Sequence, residues 1–199
     1  MPPATTALIV ANVAVFLLQG LVPQVIVPFA LWPLSASLSG TGAAFAPWQL
    51  VTYAFLHGGL LHLAFNMFAV YMFGSAIEQA LGTRRYVILY FVSVLFAAIT
   101  QLIVAMLSGA VYPTIGASGG VFGLLLAYAI YFPHNRVMLL FPPIPMPARV
   151  FVLLYAVLEL FLGVTGSQEG VAHFAHLGGM VGGYLVLRFW RGGLRRPYR

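Results

Sequence analysis

The sequence predicts an all-α, polytopic membrane protein of six transmembrane helices, and three observations carry that prediction. Only 6% of the 199 residues are charged, against about a quarter in an ordinary soluble domain. Apolar types make up 62% of the chain and aromatics 15%. No charged residue precedes Glu78, so the whole opening stretch has no ionised side chain with which to face water. A chain of this kind belongs in a bilayer. The formal net charge of +6 would suggest nucleic acid in a soluble protein. Here the basic residues, all Arg, lie between or after apolar runs, which reads as membrane topology with no nucleic-acid partner. The absence of Cys excludes disulfides, thiolate metal sites and a cysteine nucleophile.

About 20 apolar residues cross ~30 Å of hydrocarbon at ~1.5 Å per residue. Runs bounded by Pro, Gly clusters and Arg fall at residues 5–22, 60–81, 86–107, 118–132, 149–166 and 171–190, followed by a basic tail at 191–199. The first run has no basic n-region, so it is expected as a span and not a signal peptide. With no internal repeat and no soluble N-terminal segment in view, residues 1–199 are expected as one membrane domain.

The arginines sort by side. Arg84 and Arg85 follow the second run, Arg136 and Arg149 flank the loop after the fourth, and Arg188 to Arg199 close the chain. The opposite side, residues 23–59, 108–117 and 167–170, holds no Arg and one acid, Glu169. The positive-inside rule then predicts both termini in the cytoplasm. The uncharged first external segment carries Phe29, Leu31, Trp32, Leu34, Phe45 and Trp48, a composition suited to the bilayer interface. Four Pro between Phe141 and Pro147 rule out one continuous helix from the fourth span to the fifth.

Polar side chains inside apolar spans cost free energy and need a reason. Three clusters stand out: His57, His62 and Asn66 entering the second span; Gly116-Ala117-Ser118-Gly119-Gly120 opening the fourth; and His173 and His176 ahead of Gly178, Gly179, Gly182 and Gly183 in the sixth. All three lie at the outer ends of their spans. The fourth span is short, so Ser118 starts its helix several ångströms below the surface, and His176, five residues into its span, comes to a similar depth at about 8 Å. Gly119 and Gly123 in the fourth span, and Gly179 and Gly183 in the sixth, are small residues four apart, the pattern of close helix packing, so the two helices are expected to touch there. A serine hydroxyl beside a neutral imidazole is a minimal activated nucleophile. The helix start at Ser118 supplies backbone N–H groups, and His62 and Asn66, four apart on one face, can supply side-chain donors to an oxyanion. Singly these residues have plainer readings: a glycine packing string, a buried histidine on a carbonyl, an interhelical hydrogen-bond pair.

The combination resembles the rhomboid family of intramembrane serine proteases over nearly the whole chain. The resemblance rests on Gly116-Ala117-Ser118-Gly119, on Ala175-His176-Leu177-Gly178-Gly179 continuing to Gly183, on His57, His62 and Asn66, and on Glu78 and Gly82 at the lower end of the second span. It implies a six-helix rhomboid-like bundle without a further domain. It also implies a catalytic dyad of Ser118 (nucleophile) and His176 (general base and acid) lacking an Asp, and an oxyanion site of the Ser118 N–H, His62 and Asn66. The implied reaction needs no metal or other cofactor. Its implied substrates are single-span membrane proteins entering sideways from the lipid between the second and fifth spans and cut near their extracytoplasmic ends, in a plasma (inner) membrane. Of the two histidines in the sixth span, His176 directly precedes the matching glycines, and His173 is left as a neighbour with no role. Phe122 falls where many relatives set an aromatic against the imidazole, and His57 is expected to hold the first external loop.

Trp48-Gln49 stands where many bacterial relatives have Trp-Arg, so guanidinium anchoring of that loop is not expected, although Gln49 can still donate. Glu159, inside the fifth span, has no assigned role. The alternative to a protease is a non-catalytic relative that binds or escorts membrane proteins, which predicts a broken dyad. A small transporter would need paired intramembrane charges or inverted repeats.

Overall fold

The computed structural model describes residues 1–39, 43–138, 143–166 and 172–193. The sequence expectations for Glu169, for Phe141 and Pro142, and for the tail beyond residue 193 lie outside the described residues. Among those described, six long helices run in order: α1 (Pro3–Leu21), α2 (Leu60–Leu81), α3 (Thr83–Ser108), α4 (Ser118–Tyr131), α5 (Ala148–Thr165) and α6 (His173–Gly193). By length and composition, α1, α2, α3 and α5 can cross a membrane, and α4 is a shorter apolar helix of 14 residues. The protein is a polytopic helical bundle. The helix starts differ from the apolar runs by up to three residues. At α6 this matters, because the helix opens at His173 and not at 171, which puts His176 in its first turn.

Glycine and capping residues explain the breaks. Gly82 takes φ 78° between α2 and α3, and Gly166 takes φ 66° just past α5, both in the left-handed region open to Gly. Within α2, residues Val70–Gly74 form a wide π turn, a local insertion that shifts the face of the helix beyond it. The proline-rich link after α4 is not simply irregular. Arg136–Met138 (β1) pairs antiparallel with Pro145–Pro147 (β2), a ribbon too short for alternation to announce.

Helix α6 packs chiefly on α3 and α4, and its glycines set the approach. A Cβ at Gly179 would strike the Gly119 carbonyl oxygen, and one at Gly183 would sit 3.1 Å from the Gly123 Cα. Gly178 meets Thr100 of α3 in the same way. By contrast α1 and α5 expose Leu17, Leu21, Leu153, Phe161 and Val164, the outer faces that a bilayer would cover.

Helix α1 is fastened by Glu78. Its carboxylate accepts the Ala4 and Thr5 backbone N–H groups at 2.9 and 2.7 Å, the Thr5 hydroxyl at 2.7 Å and the Thr83 hydroxyl at 2.8 Å. An anion thus caps a helix N-terminus whose own cap residue, Pro2, offers no side-chain acceptor. Glu78→Ala is expected to destabilise the folded protein by about 1.5–3 kcal/mol, the worth of hydrogen bonds to a charged group, measured as a lower thermal midpoint in detergent. A midpoint equal to wild type would refute this role.

Candidate active site

Three segments wall the site beneath the ends of α2, α4 and α6. The stretch before α4 is tied to the first external segment by paired Leu31 and Thr114 backbone bonds of 3.0 and 2.9 Å, and by the Gly116 N–H on the Tyr53 carbonyl at 2.9 Å. Tyr53 is buried, and its hydroxyl donates to the Val94 carbonyl at 2.9 Å, which fixes this floor to α3. Gly116 adopts φ 127°, and a side chain there would run into His62. The chain then enters α4 at Ser118 with no side-chain cap, so the first helical N–H groups point out of the helix without intrahelical acceptors.

The structure brings Ser118 and His176 together. The half-buried Ser118 Oγ lies 2.8 Å from His176 Nε2, a hydrogen-bond separation. Phe122, one turn into α4, stacks on the imidazole with ring centres 4.3 Å apart and planes 5° from parallel. Phe122 also meets Tyr155 of α5, with ring centres 5.5 Å apart.

His62 reaches the same spot. A Cβ built at Gly116 would stand 2.9 Å from His62 Nε2 and 3.7 Å from Ser118 Oγ, so the two groups border one small space. His62 Nδ1 accepts the Gly58 N–H at 3.3 Å, which leaves Nε2 as the protonated, donating nitrogen facing Ser118. Asn66 is buried one turn below, with its amide donating to the His62 carbonyl at 2.9 Å.

His57 stands outside this space, where it joins the loop to α1. Its N–H donates to Gln19 Oε1 at 3.0 Å, and Gln19 Nε2 returns a bond to its carbonyl at 3.1 Å. Burial, and then the neighbouring His62 at a ring separation of 5.0 Å, push its pKa down to about 4. It is neutral at physiological pH and adds no charge next to His62.

Two residues to which sequence reasoning gave no role are part of this arrangement. Glu159 Oε2 lies 2.9 Å from His176 Nδ1 and 2.7 Å from His173 Nδ1, and all three residues are buried. The available signal was an acid inside an apolar span together with histidines three apart. These three form the candidate cation-binding group among the described residues, with ligand atoms within 4.8 Å of one another. Ligands of one tetrahedral zinc would stand about 3.3 Å apart given bonds of ~2.0 Å. The observed 2.7 and 2.9 Å are hydrogen-bond separations. Gln49 is the other surprise. It is buried, donates to the Ala44 and Pro28 carbonyls at 3.0 and 3.3 Å, and accepts the Trp32 N–H at 3.1 Å. A neutral amide thus performs the loop anchoring for which a guanidinium was missed.

The fold and the site together define a class: an integral membrane protein built as a helical bundle, with a serine–imidazole pair at the meeting of two glycine-packed helices. A family model, the Rhomboid domain, matches residues 44–191. The chain belongs to the rhomboid family. It is 32% identical over 139 residues to Rhomboid protease GluP of Bacillus subtilis, covering 70% of this chain and 25% of that protein. It is also 32% identical over 139 residues to Rhomboid protein 1, mitochondrial, of Saccharomyces cerevisiae, covering 69% and 40%. Rhomboid protease GlpG of Yersinia pestis is 27% identical over 191 residues, 94% of this chain and 62% of that protein. The chain therefore spans between a quarter and two thirds of the length of these relatives.

Proposed function

We propose that this protein is an intramembrane serine endopeptidase that cleaves membrane-spanning substrates near their extracytoplasmic ends. The observation that carries the reading is the 2.8 Å contact between Ser118 Oγ and His176 Nε2, in a chain similar to proteins named rhomboid proteases. His176 takes the hydroxyl proton on Nε2 as Ser118 Oγ bonds to the scissile carbonyl carbon. The carbonyl electron pair moves to oxygen. The C–N bond then breaks as Nε2 returns the proton to the leaving amine, and water releases the acyl group by the same sequence. The developing oxyanion is stabilised by the Ser118 N–H at the start of α4, by His62 Nε2–H and by Asn66. Gly116, Gly119, Gly179 and Gly183 let these groups approach, and Phe122 holds the imidazole plane.

The half-exposed Ser118 and His62 beside exposed Gly58 suit a site open to water at one end. The arginine distribution supports an opening on the extracytoplasmic side with both termini in the cytoplasm, and in this reading residues 1–199 act as one membrane domain in a plasma (inner) membrane. A single-span helix entering from lipid must unwind to present a carbonyl. Substrates with Gly or Pro near the cut and a small residue before the scissile bond are therefore favoured. The escort alternative predicts a broken dyad, and the intact contact argues against it.

Incubation in detergent with single-span substrates, with and without helix-breaking residues at the cut site, tests the proposal. Faster cleavage of the helix-broken set supports it, and equal rates across the set count against the unwinding step. His62→Ala and Asn66→Ala are each expected to lower kcat by about 10²–10³, the cost of one oxyanion donor, which is less than the loss on removing either dyad member. A reversed order in steady-state rates would displace them from the oxyanion site.

A further inference from the structure

We propose that Glu159 is a positioning residue for His176. Its carboxylate, itself held by His173, keeps the imidazole in the tautomer that leaves Nε2 bare toward Ser118. The inference rests on Ser118 and His176 being the reacting pair, and it extends that pair into a chain Ser118–His176–Glu159–His173.

The geometry favours one arrangement of the protons. One oxygen, Oε2, is shared by two ring nitrogens at 2.7 and 2.9 Å. An ionised Oε2 accepts from both rings, whereas a protonated Oε2 would donate to one ring, accept from the other, and leave the first ring's own proton on Nε2. In the proposed arrangement Glu159 is ionised and accepts Nδ1–H from each histidine. His176, with its proton fixed on Nδ1, presents a bare Nε2 to the serine hydroxyl, the tautomer that a general base requires. When Nε2 takes the serine proton during attack, the adjacent carboxylate stabilises the imidazolium. The proton remains on the imidazole and later goes to the leaving amine, so Glu159 itself exchanges none.

The surroundings hold this arrangement rigid. Glu159 is buried on α5, where a carboxylate without partners would be costly. Gly163, one turn further along α5, admits the start of α6: a Cβ there would stand 3.3 Å from the His173 Cβ and 3.0 Å from the Phe174 ring. Phe122 stacks on His176 from α4, so the ring is held on one face and at both nitrogens. Helix α5 otherwise buries only Ala148 and Val152 among its described residues, which makes the Glu159 contact its main polar tie to α6. The titratable groups facing the imidazole are Glu159 from α5, His173 from α6 and His62 from α2, with Tyr155 of α5 next to Glu159.

The test uses the full chain in detergent, with wild type, Glu159→Gln and His173→Gln. Imidazole ¹⁵N shifts are recorded, with His176 assigned by its loss in His176→Ala, and cleavage of a single-span substrate is followed against pH. The expected wild-type signal is an Nδ1–H His176. In Glu159→Gln, kcat is expected to fall by about 10³–10⁴, as when a triad carboxylate becomes an amide, with KM within threefold. The acid limb of its pH profile is expected to move to lower pH, because the charge favouring the imidazolium is gone. His173→Gln should show a smaller loss, about tenfold, by loosening the carboxylate. An Nε2–H His176 in wild type, which needs no variant to fold, would overturn the proposal, as would a folded Glu159→Gln with wild-type kcat and pH profile. Wild type that shows Nδ1–H but neither cleaves nor reacts with a serine-directed probe would remove the protease reading and leave the Glu159 contact standing. An active wild type with the opposite tautomer would do the reverse.

Discussion

Replacing Ser118 with Ala is expected to abolish cleavage and leave the fold intact. In the proposed reaction the hydroxyl is the group that bonds to the carbonyl carbon, and no Cys is present to substitute for it. Loss of the nucleophile in serine hydrolases lowers kcat by about 10⁴-fold to 10⁶-fold, and a loss of that order is expected here. The structural cost is small. The change removes one hydrogen bond, 2.8 Å to His176 Nε2, worth about 0.5–1.5 kcal/mol. It leaves the ring stacked on Phe122 and bonded to Glu159. Thermal melts within a few degrees of wild type, alongside no product in a sensitive gel assay, are the expected pair of results. Product formed by purified Ser118→Ala at a comparable rate would disprove the assignment.

Gly179→Ala is expected to have the next largest effect, through geometry and not chemistry. In most helix positions Ala gains up to about 1 kcal/mol over Gly. Here the new Cβ would collide with the Gly119 carbonyl oxygen, with the Gly119 carbonyl carbon 2.8 Å away. A backbone carbonyl within a helix cannot rotate aside, so α4 and α6 must separate, at about 1–3 kcal/mol for such overpacking. Ser118 adjoins Gly119, and His176 lies one turn before Gly179, so the separation lengthens the Ser118–His176 contact directly. A displacement of about 1 Å at a reacting pair costs roughly 10²-fold in rate. Gly20→Ala is the matched control, since nothing lies within 4 Å of a Cβ at that position of α1. Activity and thermal midpoint should fall together in Gly179→Ala and hold in Gly20→Ala. Equal behaviour of the two variants would show that the α4–α6 contact does not set the site.

The contrast between these positions shows what was legible in the sequence. Long apolar runs announce their helices because a single segment in a bilayer satisfies its own backbone only as a helix, and all six helices start within three residues of their runs. Gly119, Gly123, Gly179 and Gly183 could be paired because their spacing of four marks one helix face. Ser118 and His176 follow from the rhomboid resemblance that those glycines help to carry. Glu159 could not be placed, because its contact depends on where α6 begins and on the room left at Gly163. A run of hydropathy specifies neither. The same holds for Gln49, whose three partners come from two parts of one irregular segment. The π turn at Val70–Gly74 and the β1–β2 ribbon are likewise set by tertiary packing and pairing, and local composition carries no sign of them.

The most direct measurement of the central claim is covalent labelling of the purified protein with a fluorophosphonate, with the modified residue mapped by peptide mass. A phosphonyl group on Ser118 of wild type, absent from folded His176→Ala, is the expected result, since the reagent needs a serine whose proton can be taken by an adjacent base. Labelling at another residue, or labelling of Ser118 that proceeds equally fast without His176, would contradict it.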